Sequence, residues 1–265
     1  MKNFKRLTAF FLALIMSLSL MSAAFAADGD CPGTDADDPD IVWIFTDTDE
    51  NPNQLNGLAP VTGFHDVKTT AWYYNDVMEC AKLGIVLGFT DGTFKPEDRV
   101  TYVQFGSMLI RTFYSADVEK VADPSGKPWY YPNMQVMRDR NLDANTDITG
   151  QGGWPTIKCA GSAVSRYEMA MMLYNVLKDK GATGKVTSAE LTAARKSLKD
   201  YYDKISPENQ GQYTAAIQYN VALGIITGMT DGTFSGESSM TRAQACAVMV
   251  RMLNLINRDD VGGGQ

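Results

Sequence analysis

Apolar residues recur at helical spacing in three separate stretches of the chain. In each stretch they occupy positions i, i+3, i+4 and i+7, which places them on one face of an α-helix. The three sets are Phe105, Met108, Leu109 and Thr112, then Met169, Met172, Leu173 and Val176, then Ala245, Val248, Met249 and Met252. The pattern predicts three amphipathic helices, and the methionines are typical of irregular core packing.

The sequences around two of these helices are near-copies of each other. Residues 84–111 and 224–251 align without a gap and are identical at twelve of 28 positions, including the run TDGTF. A more divergent copy lies between them, in which Trp129 matches Trp72 and Asp147 stands where the loop aspartate is expected. Two-helix units of this size cannot bury their apolar faces alone. We therefore expect an all-α fold of three two-helix units packed as a pseudo-threefold trimer, preceded by a short irregular segment.

Each second helix should begin at a capping box, in which two side chains bond each other's backbone N–H groups. The boxes are Thr101 with Gln104, Ser165 with Glu168, and Thr241 with Gln244. The residue after each hydroxyl is Tyr102, Arg166 or Arg242, and a cation in a first turn is mildly unfavourable. We interpret the two arginines as receptors for a carboxylate or phosphate. Their replacement by Ala should then leave folding nearly unchanged.

The loops before these helices and the aromatic starts of the first helices offer further candidates. The loop residues are Asp91, Gly92 and Thr93, Asp147, and Asp231, Gly232 and Thr233; the aromatic residues are Trp72 and Trp129. The glycines permit a positive backbone angle, and the tryptophans offer faces on which a sugar can stack. The aspartates could instead close Asx turns, and the tryptophans could lie in the core. Anion or acidic-saccharide binding and pure packing are both open.

The N-terminus reads as an export signal. Three basic residues precede an apolar run at residues 7–21, and Ala24-Phe25-Ala26 fits a cleavage site. The run is shorter than the roughly 20 residues that a spanning helix needs. We expect cleavage after Ala26 and no membrane association of the mature chain.

The chain is acidic, with a formal net charge of −7, and many acids lie in residues 27–60. This distribution argues against nucleic acid and anionic lipid as partners. Asp47-x-Asp49-x-Asn51 has the spacing with which an EF-hand loop begins, but Pro52 stands where that loop needs Gly. A solvated acidic leader is favoured over a calcium site.

Residue types that hold metals or carry catalysis are sparse. His65 is the only histidine, and the sequence contains no CxxC pair and no hydrolase or nucleotide-binding motif. We expect no metal site, no cofactor and no enzymatic activity. Cys80 and Cys246 fall in predicted helices and should be buried free thiols, whereas a bridge between Cys31 and Cys159 is open.

The stretch FHDVKTTAWYYNDVMECAKLGIVLGFTDGTFKPEDRVTYVQF resembles an S-layer homology repeat, whose pattern is F-x-D-V, then G-I-x-x-G, D-G-T-F and I-T-R-A-E. We expect three repeats in tandem, with a polar, solvated connecting helix within 187–200. The expected units are a signal peptide (1–26), an acidic segment (27–60), repeats at 61–116, 117–182 and 183–258, and a tail (259–265), with an inserted loop at 148–164.

This resemblance implies secretion to the cell wall or S-layer and anchoring there. Tandem S-layer homology domains form a three-pronged pseudo-trimer, and grooves between the repeats bind secondary cell wall polymer, commonly a polysaccharide with a pyruvylated terminal sugar. The arginine of the T-R-A-E motif contacts the acidic group. Arg166 and Arg242 occupy that position here, whereas Tyr102 replaces it in the first repeat.

Two other functions stay open from the sequence. The repeats could bind a protein, which would make the chain an adaptor in the envelope with an unknown partner. Two of the carboxylates could instead meet in a groove and hydrolyse glycosidic bonds, although no paired acid/base site is visible.

Overall fold

The computed structural model describes residues 63–89, 91–122, 127, 129–146, 161–200 and 207–262, with backbone alone for 207–212 and 258–262. All of them lie in one compact unit, residues 33–265. Several predicted features lie outside the described residues. They are the signal peptide, the acidic segment with its Asp47–Asn51 pattern, Cys31, Cys159, Asp147 and most of the inserted loop.

The described part of the chain is helical, as predicted, and contains no strand beyond three isolated bridges. A 3₁₀ turn spans Ala182–Lys185. The α-helices are α1 (Tyr74–Lys82), α2 (Tyr102–Phe113), α3 (Ser115–Val118), α4 (Tyr131–Asp139), α5 (Arg166–Asp179), α6 (Ser188–Lys196), α7 (Pro207–Ala222) and α8 (Arg242–Gly262).

All three predicted capping boxes form at the starts of α2, α5 and α8. The Thr101 and Ser165 hydroxyls accept from the N–H three residues later, and the side chain there accepts from the N-cap N–H. In the third box, the Gln244 N–H donates to Thr241 Oγ1 (3.3 Å) and the Thr241 N–H donates to Gln244 Oε1 (3.1 Å). These side chains therefore define where the second helices begin.

Three pairs of closely packed helices join different copies. Helix α2 of the first copy packs on α4 of the middle copy, α5 of the middle copy packs on α7 of the third, and α8 packs back on α1. The apolar faces predicted from helical spacing meet at these contacts and are buried, with Phe105, Met169 and Met249 fully enclosed. The order of packing is cyclic, while exact pseudo-threefold symmetry stays a prediction.

Backbone hydrogen bonds join the copies in the same cyclic order. The Tyr102 N–H donates to the Ser162 carbonyl (3.0 Å), and the Arg166 N–H donates to that of Ser238 (3.0 Å). The Arg242 N–H closes the cycle by donating to Asp98 (2.8 Å). Helix-start N–H groups that lack an intrahelical partner are thereby satisfied by another copy.

The segment 187–200 is only partly the solvated connector that the sequence suggested. Helix α6 begins at a capping box at Thr187 and is largely exposed. Its end is buried, because Leu198 joins the core and Asp200 turns towards the third copy's loop. The Asp200 carboxylate accepts from the N–H groups of Phe234 (2.6 Å) and Ser235 (2.8 Å).

Asp66 makes the equivalent contacts in the first copy. Asp66 accepts from the N–H groups of Phe94 and Lys95, both at 2.7 Å. Each carboxylate ties the start of its copy to the loop of that copy, about 30 residues later along the chain, through two charge-assisted hydrogen bonds.

Asp200→Ala should lower the free energy of unfolding by about 2–4 kcal/mol, because it leaves two loop N–H groups without their acceptor at a buried site. Urea denaturation followed by circular dichroism measures the change. Asp231→Ala is the matched control, because that carboxylate is exposed and serves only its own turn. A loss for Asp200→Ala no larger than the control's loss would contradict the structural role.

Candidate functional site

Arg166 of the middle copy reaches into the loop of the third copy. Its Nε donates to the carbonyl oxygen of Phe234 (2.7 Å) and its Nη2 to that of Thr227 (2.9 Å). The guanidinium also lies over the Phe234 ring, 4.9 Å from its centroid. Only 5% of the residue is exposed, and burial lowers the pKa of Arg166 below its usual value.

Arg242 of the third copy makes the equivalent contacts in the first copy. Its Nε donates to the carbonyl oxygen of Phe94 (2.8 Å), and its Nη2 lies 3.5 Å from that of Leu87. The guanidinium stacks over the rings of Phe94 and Phe89, at 4.5 and 5.0 Å. Burial lowers the pKa of Arg242 to about 10.

These contacts correct one sequence-based expectation. Arg166 and Arg242 were expected to be dispensable for folding, but each joins two copies through buried hydrogen bonds. Within the described part of the chain, no hydrogen bond is found for Nη1 of either residue. Each arginine can therefore join two copies and still offer Nη1 as a donor to a ligand.

Tyr102 fills the third equivalent position without a charge. It is almost fully buried, and its hydroxyl lies 3.2 Å from Thr146 Oγ1 in the middle copy. Burial raises the pKa of Tyr102, so the phenol stays neutral. This junction is closed by a neutral pair of hydroxyls.

The loop aspartates close Asx turns, which was the structural alternative for them. Asp91 Oδ1 accepts from the N–H and the hydroxyl of Thr93 (2.9 and 2.6 Å), and Asp231 binds Thr233 in the same way. These hydrogen bonds lower the pKa of Asp91 and of Asp231. Their polar groups are engaged within the loops.

The turns also use the conformational freedom of their glycines. Gly92 and Gly232 have φ angles of +81° and +84°, in the region that favours glycine. The Gly92 carbonyl accepts from the His65 N–H, and that of Gly232 accepts from the Lys199 N–H. The loop residues therefore have a structural role in these turns.

A cavity of about 240 Å³ lies beside Arg166, and we call it the Arg166 groove. All three copies contribute to it: Trp72 from the first, Arg166 from the middle, and residues 226–230 with helix α8 from the third. Two cations, Arg166 and Arg251, line it, and none of its lining residues is acidic. Arg251 is exposed, and its Nη1 donates to the Ile225 carbonyl (3.2 Å).

The equivalent space beside Arg242, the Arg242 groove, is nearly closed. It measures about 20 Å³ and is lined by Trp129, Arg111, Gln104 and Met108, among others. Trp129 is half-buried and packs on the core, whereas Trp72 is 63% exposed. Burial lowers the pKa of Arg111 to about 10. The structure therefore gives the two tryptophans different environments.

The predicted site residues are thus brought together only in part. Trp72 and Arg166 meet in the open groove, Trp129 and Arg242 meet in the closed one, and the lining of neither groove includes Asp91, Asp231 or their following Gly and Thr. Sequence reasoning missed Arg251 as a site residue. The sequence could have indicated it, because Arg251 aligns with Arg111 and is one of the identities between the two near-copies.

Among the described residues, no group of three or more His, Cys, Asp or Glu side chains is arranged to hold a metal ion. No helix in the same part of the chain has the length and apolar character needed to cross a bilayer.

Comparison with known proteins identifies two segments. Residues 63–105 and 209–246 match the family described as S-layer homology domain. The match does not include the middle copy, so three tandem domains of this family stay a prediction.

Curated relatives are longer proteins, of which the chain spans less than a fifth. It is 26% identical over 194 residues to an endoglucanase of Bacillus sp. (strain KSM-635), covering 72% of this chain and 18% of that protein. It is 24% identical over 136 residues to the surface-layer 125 kDa protein of Lysinibacillus sphaericus, covering 50% and 11%. It is 30% identical over 83 residues to the surface layer protein of Brevibacillus choshinensis, covering 31% and 7%.

Arg242→Ala should destabilise the fold by about 2–4 kcal/mol, because one buried and one partly buried carbonyl group lose their donor and two rings lose a stacked cation. Thermal and urea unfolding measure the loss. Arg251→Ala, which removes an exposed guanidinium, is the control and should unfold close to the parent protein. Unchanged stability of Arg242→Ala would restore the view that this arginine serves a ligand alone.

Proposed function

We propose that this protein attaches to the cell surface by binding an anionic wall polysaccharide in the Arg166 groove. The observation that carries the proposal is the lining of that groove. It combines two guanidinium groups and an exposed tryptophan and contains no carboxylate. This lining is unusual on a chain whose net charge is −7.

The electrostatics of the groove favour an anionic ligand. Arg166 is buried, and its Nε and Nη2 donate to neutral carbonyl groups. The Asp200 carboxylate offsets the burial of Arg166 only in part, because the pKa of Arg166 is still lowered, so the cation retains an unfavourable desolvation energy. A ligand carboxylate at Nη1 would supply a further counter-charge, and Arg251 would add a second, exposed contact.

Trp72 gives the groove a surface suited to a sugar ring. It is the most exposed large apolar side chain among the described residues and stands on the rim, in edge contact with Tyr73. Tryptophan is enriched at binding interfaces, because its large ring is apolar while its N–H can reach a polar partner. We assign it the stacking face and Arg166 and Arg251 the acidic substituent.

The similarities support the class of ligand. Two segments match S-layer homology domains, and two of the relatives are surface-layer proteins by name. On this basis we propose secondary cell wall polymer with a pyruvylated terminal sugar as the ligand, three tandem domains around a pseudo-threefold axis, and a location in the wall or S-layer. The endoglucanase activity belongs to that relative, of which 18% is covered.

We further assign binding to one groove of the three expected from the repeats. The Arg242 groove has room for little more than a water molecule beneath Trp129. The Tyr102 junction has no cation at the equivalent position. The Arg166 groove is therefore the candidate with both space and charge.

Arg251→Ala and Trp72→Ala should each weaken binding about 10-fold while the fold is retained, because both side chains are exposed and lie on the groove. Binding is measured by co-sedimentation with isolated walls and by titration with a methyl glycoside that carries a pyruvyl ketal. Lys82→Ala and Leu83→Ala are matched controls, since one is an exposed cation and the other an exposed apolar residue outside the groove.

Different outcomes identify the alternatives. Loss of wall binding after the non-peptidoglycan polymer has been extracted is expected. Binding that persists on bare peptidoglycan would reject the proposed ligand. If binding persists after all carbohydrate has been degraded but is lost after protease treatment of the walls, the chain is an adaptor for another protein. Release of dye from labelled walls would instead reveal a hydrolase.

The number of binding sites gives a separate test. Calorimetric titration with the same ketal should yield one site per chain, because of the two arginine grooves formed by the described residues only the Arg166 groove is open. A value of two would show that Trp129 moves aside and that the Arg242 groove also binds.

A further inference from the structure

Two cysteines of the first and third copies face each other in the core. Helices α1 and α8 pack together, and Cys80 Sγ lies 3.6 Å from the Cys246 carbonyl oxygen. Both residues are fully buried and are free thiols, as the sequence predicted. Cys80 therefore contacts Cys246 although 166 positions separate the two residues in the sequence.

We propose that Cys80 and Cys246 form a disulfide bond in the exported protein, where it clamps α1 to α8. Two cysteines on facing helices that already contact each other through one thiol need little movement to reach disulfide geometry. An oxidising compartment, which the N-terminal signal predicts, is where such bonds form and persist. The proposal is independent of the ligand that the groove binds.

The chemistry is an exchange with a low-molecular-weight disulfide such as oxidised glutathione. One cysteine, as its thiolate, attacks a sulfur atom of that disulfide, which gives a mixed disulfide and releases one thiolate. The second cysteine then displaces the remaining half. Two protein thiols lose two electrons and two protons, and the reagent is reduced to two thiols.

Burial determines when this exchange takes place. The hydrogen bond to Cys246, together with desolvation, raises the pKa of the Cys80 thiol and so disfavours the reactive thiolate in the folded protein. Neither sulfur is accessible to a reagent until α1 separates from α8. The bond should therefore form during folding, and the folded reduced protein should be oxidised slowly.

The bond would fix two walls of the Arg166 groove relative to each other. Trp72 stands just before α1, and Arg251 lies on α8, about one turn beyond Cys246. Closing a loop of this length also removes much conformational freedom from the unfolded chain. The clamp would join the first and last helices of the cyclic arrangement.

The test uses Cys31→Ser/Cys159→Ser, which leaves only the two buried thiols. The protein is unfolded, refolded in a glutathione redox buffer, alkylated in denaturant and digested without reduction. Mass spectrometry should show the Cys80 and Cys246 peptides linked, two hydrogens lighter than their sum. The midpoint of thermal unfolding should exceed that of the dithiothreitol-reduced protein by about 10 °C. A further Cys246→Ser change should abolish both effects.

Peptide mapping of the parent protein refolded in the same buffer provides a second measurement if the double variant does not fold. There too the Cys80–Cys246 link is expected, and dithiothreitol should reverse it. Recovery of both cysteines as alkylated thiols in natively folded protein would overturn the proposal. A link from either of them to Cys31 or Cys159 would overturn it as well.

Discussion

The fold depends on hydrogen bonds that the start of each second helix makes with another copy. At two of the three junctions the donor is a buried guanidinium, and its acceptors are carbonyl groups of a neighbouring loop. A cation in that position is stable because carbonyl dipoles and the faces of aromatic rings replace water. At the third junction, the hydroxyl groups of Tyr102 and Thr146 form a hydrogen bond between the copies without a charge.

Local features of the fold were predictable because their causes lie within a few residues. Capping boxes join side chains three positions apart, and the Asx turns join residues two apart. The targets of the arginines were not predictable, since Phe234 is 68 positions from Arg166 and Phe94 is 148 from Arg242. Asp200 was overlooked for the same reason, because its partners lie 34 and 35 positions away.

The site illustrates a different limit of sequence reasoning. The two grooves carry corresponding residues, including a tryptophan and two arginines each, yet one is open and the other is nearly filled. The difference lies in how far each tryptophan packs onto the core. Met108 in the Arg242 groove also occupies the place of the smaller Val248 in the Arg166 groove, and a larger side chain leaves less space.

The cyclic packing also constrains how the copies can diverge. Each helix start is matched to the loop of a different copy, so a substitution at Arg166 must suit the third copy, and one at Arg242 must suit the first. Tyr102 faces Thr146, which lies just before the inserted loop of the middle copy. The three copies are therefore constrained to change together. A single copy exchanged between two such proteins would not match the loops of its new neighbours, whereas all three copies could be transferred together.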